Sequence, residues 1–171
     1  MHLIIDGYNL LHVSHSLIRF NSIQLQWERD GLIDQLSAYQ RLKPCEMTVV
    51  FDGWQGGWST EKREKKKGIE LVFSKLGEKA DEVIKRLLQE KGSGAIVITS
   101  DRDIARFAEG MRVSVISSEQ FQEKIERSSI EFDEYLGREE EEGEEKGAKK
   151  KGLSRRLSKK EKRARAALKK L

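Results

Sequence analysis

Several things are scarce in this chain of 171 residues, and each scarcity removes a class of protein. A single cysteine, Cys45, excludes an internal disulfide and any zinc site built from several thiolates; it fits a reducing compartment and reads as small core filler. No apolar run approaches the roughly 20 residues a membrane span needs. No basic leader followed by a long apolar segment opens the chain, so the expectation is a soluble, unexported, cytoplasmic protein. No tandem repeat is visible. No G-x-G-x-x-G follows the first apolar run, which argues against a nucleotide cofactor. Phosphotransferases with an aspartate nucleophile usually place a second Asp two residues after the first, and here Tyr8 follows Asp6 at that spacing.

What is present begins with length, which suits one domain burying roughly two thirds of its unfolded surface. The net charge is only +4, but it is unevenly spread. Through Gly137 there are 19 basic and 22 acidic residues; 138–145 hold one Arg and six Glu; 146–171 hold thirteen Lys or Arg and one Glu. A slightly acidic body of residues 1–137 therefore carries a linker and basic tail, 138–171, whose last part is a polycation. A polyanionic partner, most simply nucleic acid, is implied. Within SKKEKRARAALKKL, Ser158 and Glu161 form a capping-box pattern, and Ala164, Ala167, Leu168 and Leu171 share a helical face. That segment suits a basic helix that forms on its partner.

Continuous apolar runs near 2–5, 47–51, 69–73, 95–99 and 112–116 predict about five strands buried on both faces, the pattern of a parallel sheet. Helical faces alternate with them. Leu25, Leu32, Leu36 and Tyr39 define one helix, ended by Pro44; Val83, Ile84, Leu87 and Leu88 define another, with Asp81 near its start and Gly92 beyond its end. A short helix follows Asp103 and one more spans about Ser118 to Arg127. Strands alternating with helices predict an α/β protein with an open, doubly wound sheet. Residues 53–68 read as a long loop.

Three of the strands end in acid. Ile5 runs into Asp6 and Gly7, Phe51 into Asp52 and Gly53, and Thr99 into Ser100, Asp101 and Asp103. In such sheets ligands bind outside the carboxyl ends of the strands. Two carboxylates about 4 Å apart repel by about 4 kcal/mol at an effective dielectric of about 20, so a cluster of them calls for a cation. Oxygen donors suit Mg²⁺ or Mn²⁺, and one or two such ions can activate water and stabilise a phosphate in in-line displacement. The bland alternatives are that Asp6 and Asp52 shape turns, that Asp81 caps a helix, and that Asp103 caps the next helix while Asp101 faces the metal. Tyr8 and His12 lie near the same mouth, and packing or surface exposure accounts for them.

The segments DGYN (6–9), VVFDG (49–53), KADEVIKR (79–86) and TSDRDI (99–104) together resemble the NYN family, in particular its bacterial YacP-like branch. The resemblance covers roughly residues 1–127 and implies a PIN-like, three-layer fold with a parallel sheet between helices. It further implies that Asp6, Asp52, Asp81 and Asp101 hold Mg²⁺ or Mn²⁺ directly or through water, with Asp103 as an additional member. Asn9 would help to place Asp6 or a phosphate oxygen. The implied activity is internal cleavage of single-stranded RNA, leaving 5′-phosphate and 3′-hydroxyl ends.

For holding RNA, Trp54 and Trp58 are interleaved with Lys62, Arg63, Lys65, Lys66 and Lys67. Aromatic faces stack unpaired bases while cations follow the backbone; the plain alternative is two rings capping the core beside a solvated loop. Arg155, Arg156, Lys159 and Lys160 of the tail would add affinity without reading sequence. The tail's composition is that of proteins that ride on structured RNA, the ribosome included. The reading is a metal-dependent endoribonuclease acting on RNA such as mRNA; its rival is a non-catalytic RNA- or ribosome-binding protein on the same fold.

Overall fold

The computed structural model describes residues 1–14, 21–53 and 58–144. The chain divides into two compact units, Met1–Ile125 and Glu126–Leu171. The first contains β1 (His2–Asp6), α1 (Gly7–Ser14), α2 (Ser22–Leu42), β2 (Glu46–Phe51), β3 (Lys62–Lys66) and β4 (Ile69–Phe73). These are followed by α3 (Ala80–Lys91), β5 (Ala95–Ile98), α4 (Arg102–Gly110), β6 (Ser114–Ile116) and the start of α5 (Ser118–Glu144). Of the second unit, the described part is the continuation of α5.

The strands form one sheet in the order β3-β4-β2-β1-β5-β6, parallel throughout except for antiparallel β3 against β4. Alternation along each strand feeds two cores, as a sheet buried on both faces requires. Leu3, Ile5, Val49 and Phe51 join Leu32, Ile33 and Leu36 of α2 and Phe121 of α5. Ile4, Val50 and Val97 join Val83, Ile84 and Leu87 of α3 and Ile104 of α4. Phe51 and Phe121 are at most 1% exposed, and truncating either to Ala should cost about 3–5 kcal/mol. The helix expected from Leu25 starts at Ser22, because Asn21 and Gln24 form a reciprocal capping box: the Gln24 amide donates to Asn21 Oδ1 (2.9 Å) and the Asn21 amide to Gln24 Oε1 (3.0 Å).

Three expectations need correction. The stretch 53–68 is not all loop, since residues 62–66 are a sixth strand. KREKK has no apolar residue to mark it, which is how an edge strand avoids pairing with other chains. The chain turns back through Lys67 and Gly68, whose φ angles of 52° and 88° suit a two-residue hairpin. A helix, α1, directly follows β1 where no helix was expected. And α5 continues past Arg127 and Gly137 to Glu144, so the Glu-rich stretch read as linker begins as helix.

From β1 the chain passes to β2 on one side, and from β5 to β6 on the other. The carboxyl ends of neighbouring β1 and β5 therefore flank the topological switch point, where open α/β sheets form their crevice.

Candidate functional site

Asp6 stands at that point. It is 8% exposed, and alternation sets it on the α3 side of the sheet with Ile4. Its Oδ1 accepts from the Asn9 amide (3.2 Å) at the start of α1, and its Oδ2 accepts from the Thr99 hydroxyl (3.2 Å). The glycine after it has a packing reason: a Cβ on Gly7 would lie 2.3 Å from the Phe51 ring. Gly53 is tighter still, since a Cβ there would meet the Ser74 carbonyl oxygen at 1.9 Å. Neither D-G pair is simply a turn.

Thr99, fully buried, also accepts from the Asp101 amide (3.1 Å), so one hydroxyl ties Asp6 to the Asp101 loop. Asn9 ties the same loop to two helices: its Oδ1 accepts from the Ser100 amide (2.8 Å) and from the Ser118 hydroxyl at the start of α5 (2.7 Å). The Ser100 hydroxyl donates to Glu119 (2.6 Å), which holds that carboxyl below its usual range. Asp101 is the N-cap of α4, with Oδ1 accepting from the amides of Asp103 (2.7 Å) and Ile104 (3.1 Å). The capping role considered for Asp103 thus falls to Asp101, and Asp103 lies exposed in the first turn. Asp81 is not a cap either. Lys79 holds that position, and Asp81 is half-buried in the first turn of α3. Asp52, half-buried, accepts from the Ser74 hydroxyl (3.2 Å), which in turn accepts from the Gly53 amide (3.0 Å).

Electrostatics joins part of this set. Burial raises the Asp6 carboxyl from 3.8 to about 6; the Asn9 and Thr99 hydrogen bonds oppose that rise, and the charges of Asp81 and Asp101 add to it. Among the described residues, no cation is one of the groups acting on Asp6. Asp52 is felt instead by the Tyr8 hydroxyl, which burial raises first; Arg29 lowers it and Asp52 raises it further. The Tyr8 hydroxyl is buried without a hydrogen-bond partner among the described residues, and its ring packs edge-on to Phe51 at 5.2 Å. His12 is exposed on α1.

Among the described residues, no three His, Cys, Asp or Glu side chains form a ready metal cage. The donor chemistry still fits a hard cation, because Asp6 and the carboxylates that act on it, Asp81 and Asp101, offer oxygen ligands. Mg²⁺ commonly takes one or two carboxylates and keeps several waters.

The described residues among those read as RNA-binding do not gather in one place. Lys62 pairs in register with Phe73, at the carboxyl end of β4, whereas Lys66 pairs with Ile69 at its other end. Only the Lys62 end of β3 lies toward the acidic rim. Lys62 bonds Glu64 (3.0 Å) and lies 4.9 Å from the centre of the half-buried Trp58 ring. Arg63 pairs with Glu61 and Glu70, Lys66 with Asp30 (2.6 Å) and Lys67 with Asp34. Lys65 is exposed and has no ion pair among the described residues. Trp54, Arg155, Arg156, Lys159 and Lys160 lie outside the described residues. Thr99, Ser74 and Arg29 were missed by sequence reasoning. Thr99 alone had a local signal, as the polar end of an apolar run.

An open sheet with an acidic group at its switch point is the architecture of the PIN-like domains. The sequence matches the YacP-like NYN domain over residues 3–170, and the chain belongs to that family. NYN domains are usually nucleases, and PIN-like nucleases generally use divalent metals. The match extends well beyond residue 127, so the family pattern takes in the basic tail as well. The uncharacterized protein YacP of Bacillus subtilis (strain 168) is 32% identical over 102 residues, which is 58% of this chain and 59% of that one. The aligned stretch thus spans less than two thirds of the relative's own length. Two crystal structures of Rae1 (YacP) from Bacillus subtilis share the fold at 24% identity. One, of a Trp-to-Leu mutant, has a TM-score of 0.69 and covers 82% of this chain and 84% of its own. The other has a TM-score of 0.65 with coverage of 84% and 83%. No helix among the described residues is long and apolar enough to cross a membrane.

Proposed function

We propose that the chain is a divalent-cation-dependent endoribonuclease that hydrolyses internal phosphodiester bonds of single-stranded RNA, leaving 5′-phosphate and 3′-hydroxyl ends. The observation that carries this reading is Asp6, buried at the switch point with two further carboxylates acting on it and, among the described residues, no cation offsetting them. Asp6, Asp52, Asp81 and Asp101 would hold one or two Mg²⁺ or Mn²⁺ ions, directly or through water, with Asp103 at the outer rim. A cation held there would supply a water of lowered pKa and offset charge building on a phosphate. The chain's own groups do the positioning. Thr99 links Asp6 to Asp101, Ser74 holds Asp52, and Asn9 fixes the Ser100 loop against α1 and α5.

Trp58 and Lys62 would receive an unpaired strand at the rim. The basic tail, 138–171, would carry the enzyme to polyanionic RNA: messenger RNA, with the ribosome as partner, in the cytoplasm. Labelled single-stranded RNA incubated with Mg²⁺ or Mn²⁺, against EDTA and Asp101→Asn, tests the reading. Asn is also a good N-cap, so the variant should stay folded and still bind RNA while cutting is lost. Removing 138–171 should weaken association and flatten its salt dependence; unchanged binding rejects the tail's role. A second reading, RNA or ribosome binding without cleavage, is favoured by the lack of a ready three-ligand cage among the described residues. Binding with no cutting under any metal would decide for it.

A further inference from the structure

The cavity between α2 and the β2–β4 end of the sheet does not belong to the acidic group. Its volume is about 260 Å³, below the roughly 300–1,000 Å³ that drug-sized ligands fill. A single planar ring system is the scale it suits. Phe51 and Phe73, register partners on β2 and β4, stack at 5.6 Å with 24° between planes and form its floor with Leu71. Trp58 meets Phe73 edge-on at 5.4 Å and, being half-buried, is the ring an incoming group reaches.

Cations line this ring system. The Arg29 guanidinium is 5.9 Å from the centres of both Phe51 and Phe73, and the Lys62 ammonium is 4.9 Å from Trp58 and 5.7 Å from Phe73. Asp30 and Glu64 are in the same wall, so two cations face two acids and the cavity has no excess positive charge for a phosphate. Gln26 and Ser22 add neutral hydrogen-bonding groups at its lining. Aromatic rings, cation–π partners and balanced polar groups together match an uncharged, flat, hydrogen-bonding ligand.

Its position links it to the site. Phe51 directly precedes Asp52, and Phe73 directly precedes Ser74, whose hydroxyl holds Asp52 at 3.2 Å. The geometry points to a nucleobase subsite: one unpaired base of a single-stranded RNA stacks on Trp58 within the Arg29–Lys62 cavity while its neighbouring phosphate lies at the acidic rim. This rests on the nuclease reading for the identity of the strand.

Short oligouridylates and oligoadenylates carrying one abasic residue, stepped along the strand, provide the test. Binding is measured in the full chain bearing Asp101→Asn, so that no probe is cut. One abasic position should weaken binding by roughly 5- to 150-fold, the range of one stacked base. Trp58→Ala should weaken intact RNA by a similar factor and erase the effect of that one abasic position, and Trp58→Phe should restore it. Arg29→Gln should shrink the same positional effect and no other. Abasic penalties that are absent, even along the strand, or unchanged in Trp58→Ala overturn the subsite. Cleavage by the wild-type chain is scored separately, so a subsite that fails beside active cleavage leaves the nuclease reading intact. A coupled abasic position without cleavage keeps the subsite and removes the nuclease.

Discussion

The β3 edge and the carboxyl rim are both rich in charge, and they treat it in opposite ways. Along β3 and its turn, four of the five cations from Lys62 to Lys67 have carboxylate partners, most with side chains roughly 40–60% exposed. Such pairs contribute little, because water and salt screen them. At the rim the carboxylates have hydroxyl and amide partners, and Asp6 is buried with other carboxylates for neighbours. Lys65 apart, the edge is paired as it stands, whereas the buried Asp6 carries an electrostatic cost that a cation would remove. Counting charges would have put the function at the edge. Asking which charges lack a counter-charge among the described residues puts the proposed function at the rim.

The widest separation between the two regions should appear in cleavage. Asp101→Asn keeps the α4 cap and removes one negative charge, and it should lower the cleavage rate by about 10²–10³-fold if the metal contribution is several kcal/mol. Single-turnover rates at saturating Mg²⁺ or Mn²⁺ measure it. A rate within about threefold of wild type would place the reaction elsewhere. A structural counterpart is Gly53→Ala, whose added carbon collides with the Ser74 backbone. Backbone does not yield as a flexible side chain would, so urea midpoints should show about 3 kcal/mol of destabilisation. Asp52 should also lose its Ser74 partner, and metal-dependent cleavage should fall beyond what the lost stability explains.

Asp6 gives the rim a pH signature that the edge should lack. Its carboxyl titrates at about 6 in the folded chain against 3.8 ordinarily, so between those values the folded state holds more protons than the unfolded. The Asp6 contribution to stability is therefore full below about pH 4 and is lost as the pH climbs through about 6. The roughly two-unit shift sets the loss at about 3 kcal/mol. Unfolding in EDTA across that range measures it. Asp6→Asn should flatten this slope and make the metal-free protein more stable than wild type at neutral pH. Mg²⁺ should stabilise wild type more than the variant, because only wild type keeps the charge. A wild-type slope unchanged by Asp6→Asn would show that the carboxyl is not carrying the cost.

Much of this layout is written locally. Apolar runs mark β1, β2, β4 and β5, and acids close three of them, Asp6 and Asp52 directly and Asp101 after Thr99 and Ser100, so these three could be placed on one edge from spacing alone. What spacing did not carry is who touches whom. Thr99 reaches Asp6 from 93 residues away, and nothing local distinguishes its hydroxyl from any other strand-end threonine. The D-G pairs looked like turns because the real reason, a ring against Gly7 and a carbonyl against Gly53, exists only once the strands are side by side. Cap positions shifted by a residue or two, which gave the α4 cap to Asp101 instead of Asp103. β3 was invisible because an all-charged edge strand has no apolar face to betray it; only Lys67-Gly68 hinted at a hairpin. Arg29 reads as a helix-surface residue until α2 is laid over Phe51 and Phe73.

The smallest effects should come from the edge itself, and they sharpen the comparison within a single strand. Lys62 and Lys66 are both cations of β3 with carboxylate partners, yet one is at the rim end of the register and the other at the far end. Lys66→Gln should move the urea midpoint by no more than about 0.5 kcal/mol, the scale of an exposed pair, and should leave RNA affinity unchanged. Lys62→Gln should be as mild in stability but should lower the slope of log affinity against log salt by about 1, the loss of one phosphate contact. Salt titrations of RNA binding compare them directly. Equal slopes for the two variants would mean that the strand follows β3 along its whole length, and that binding extends from the rim over the edge.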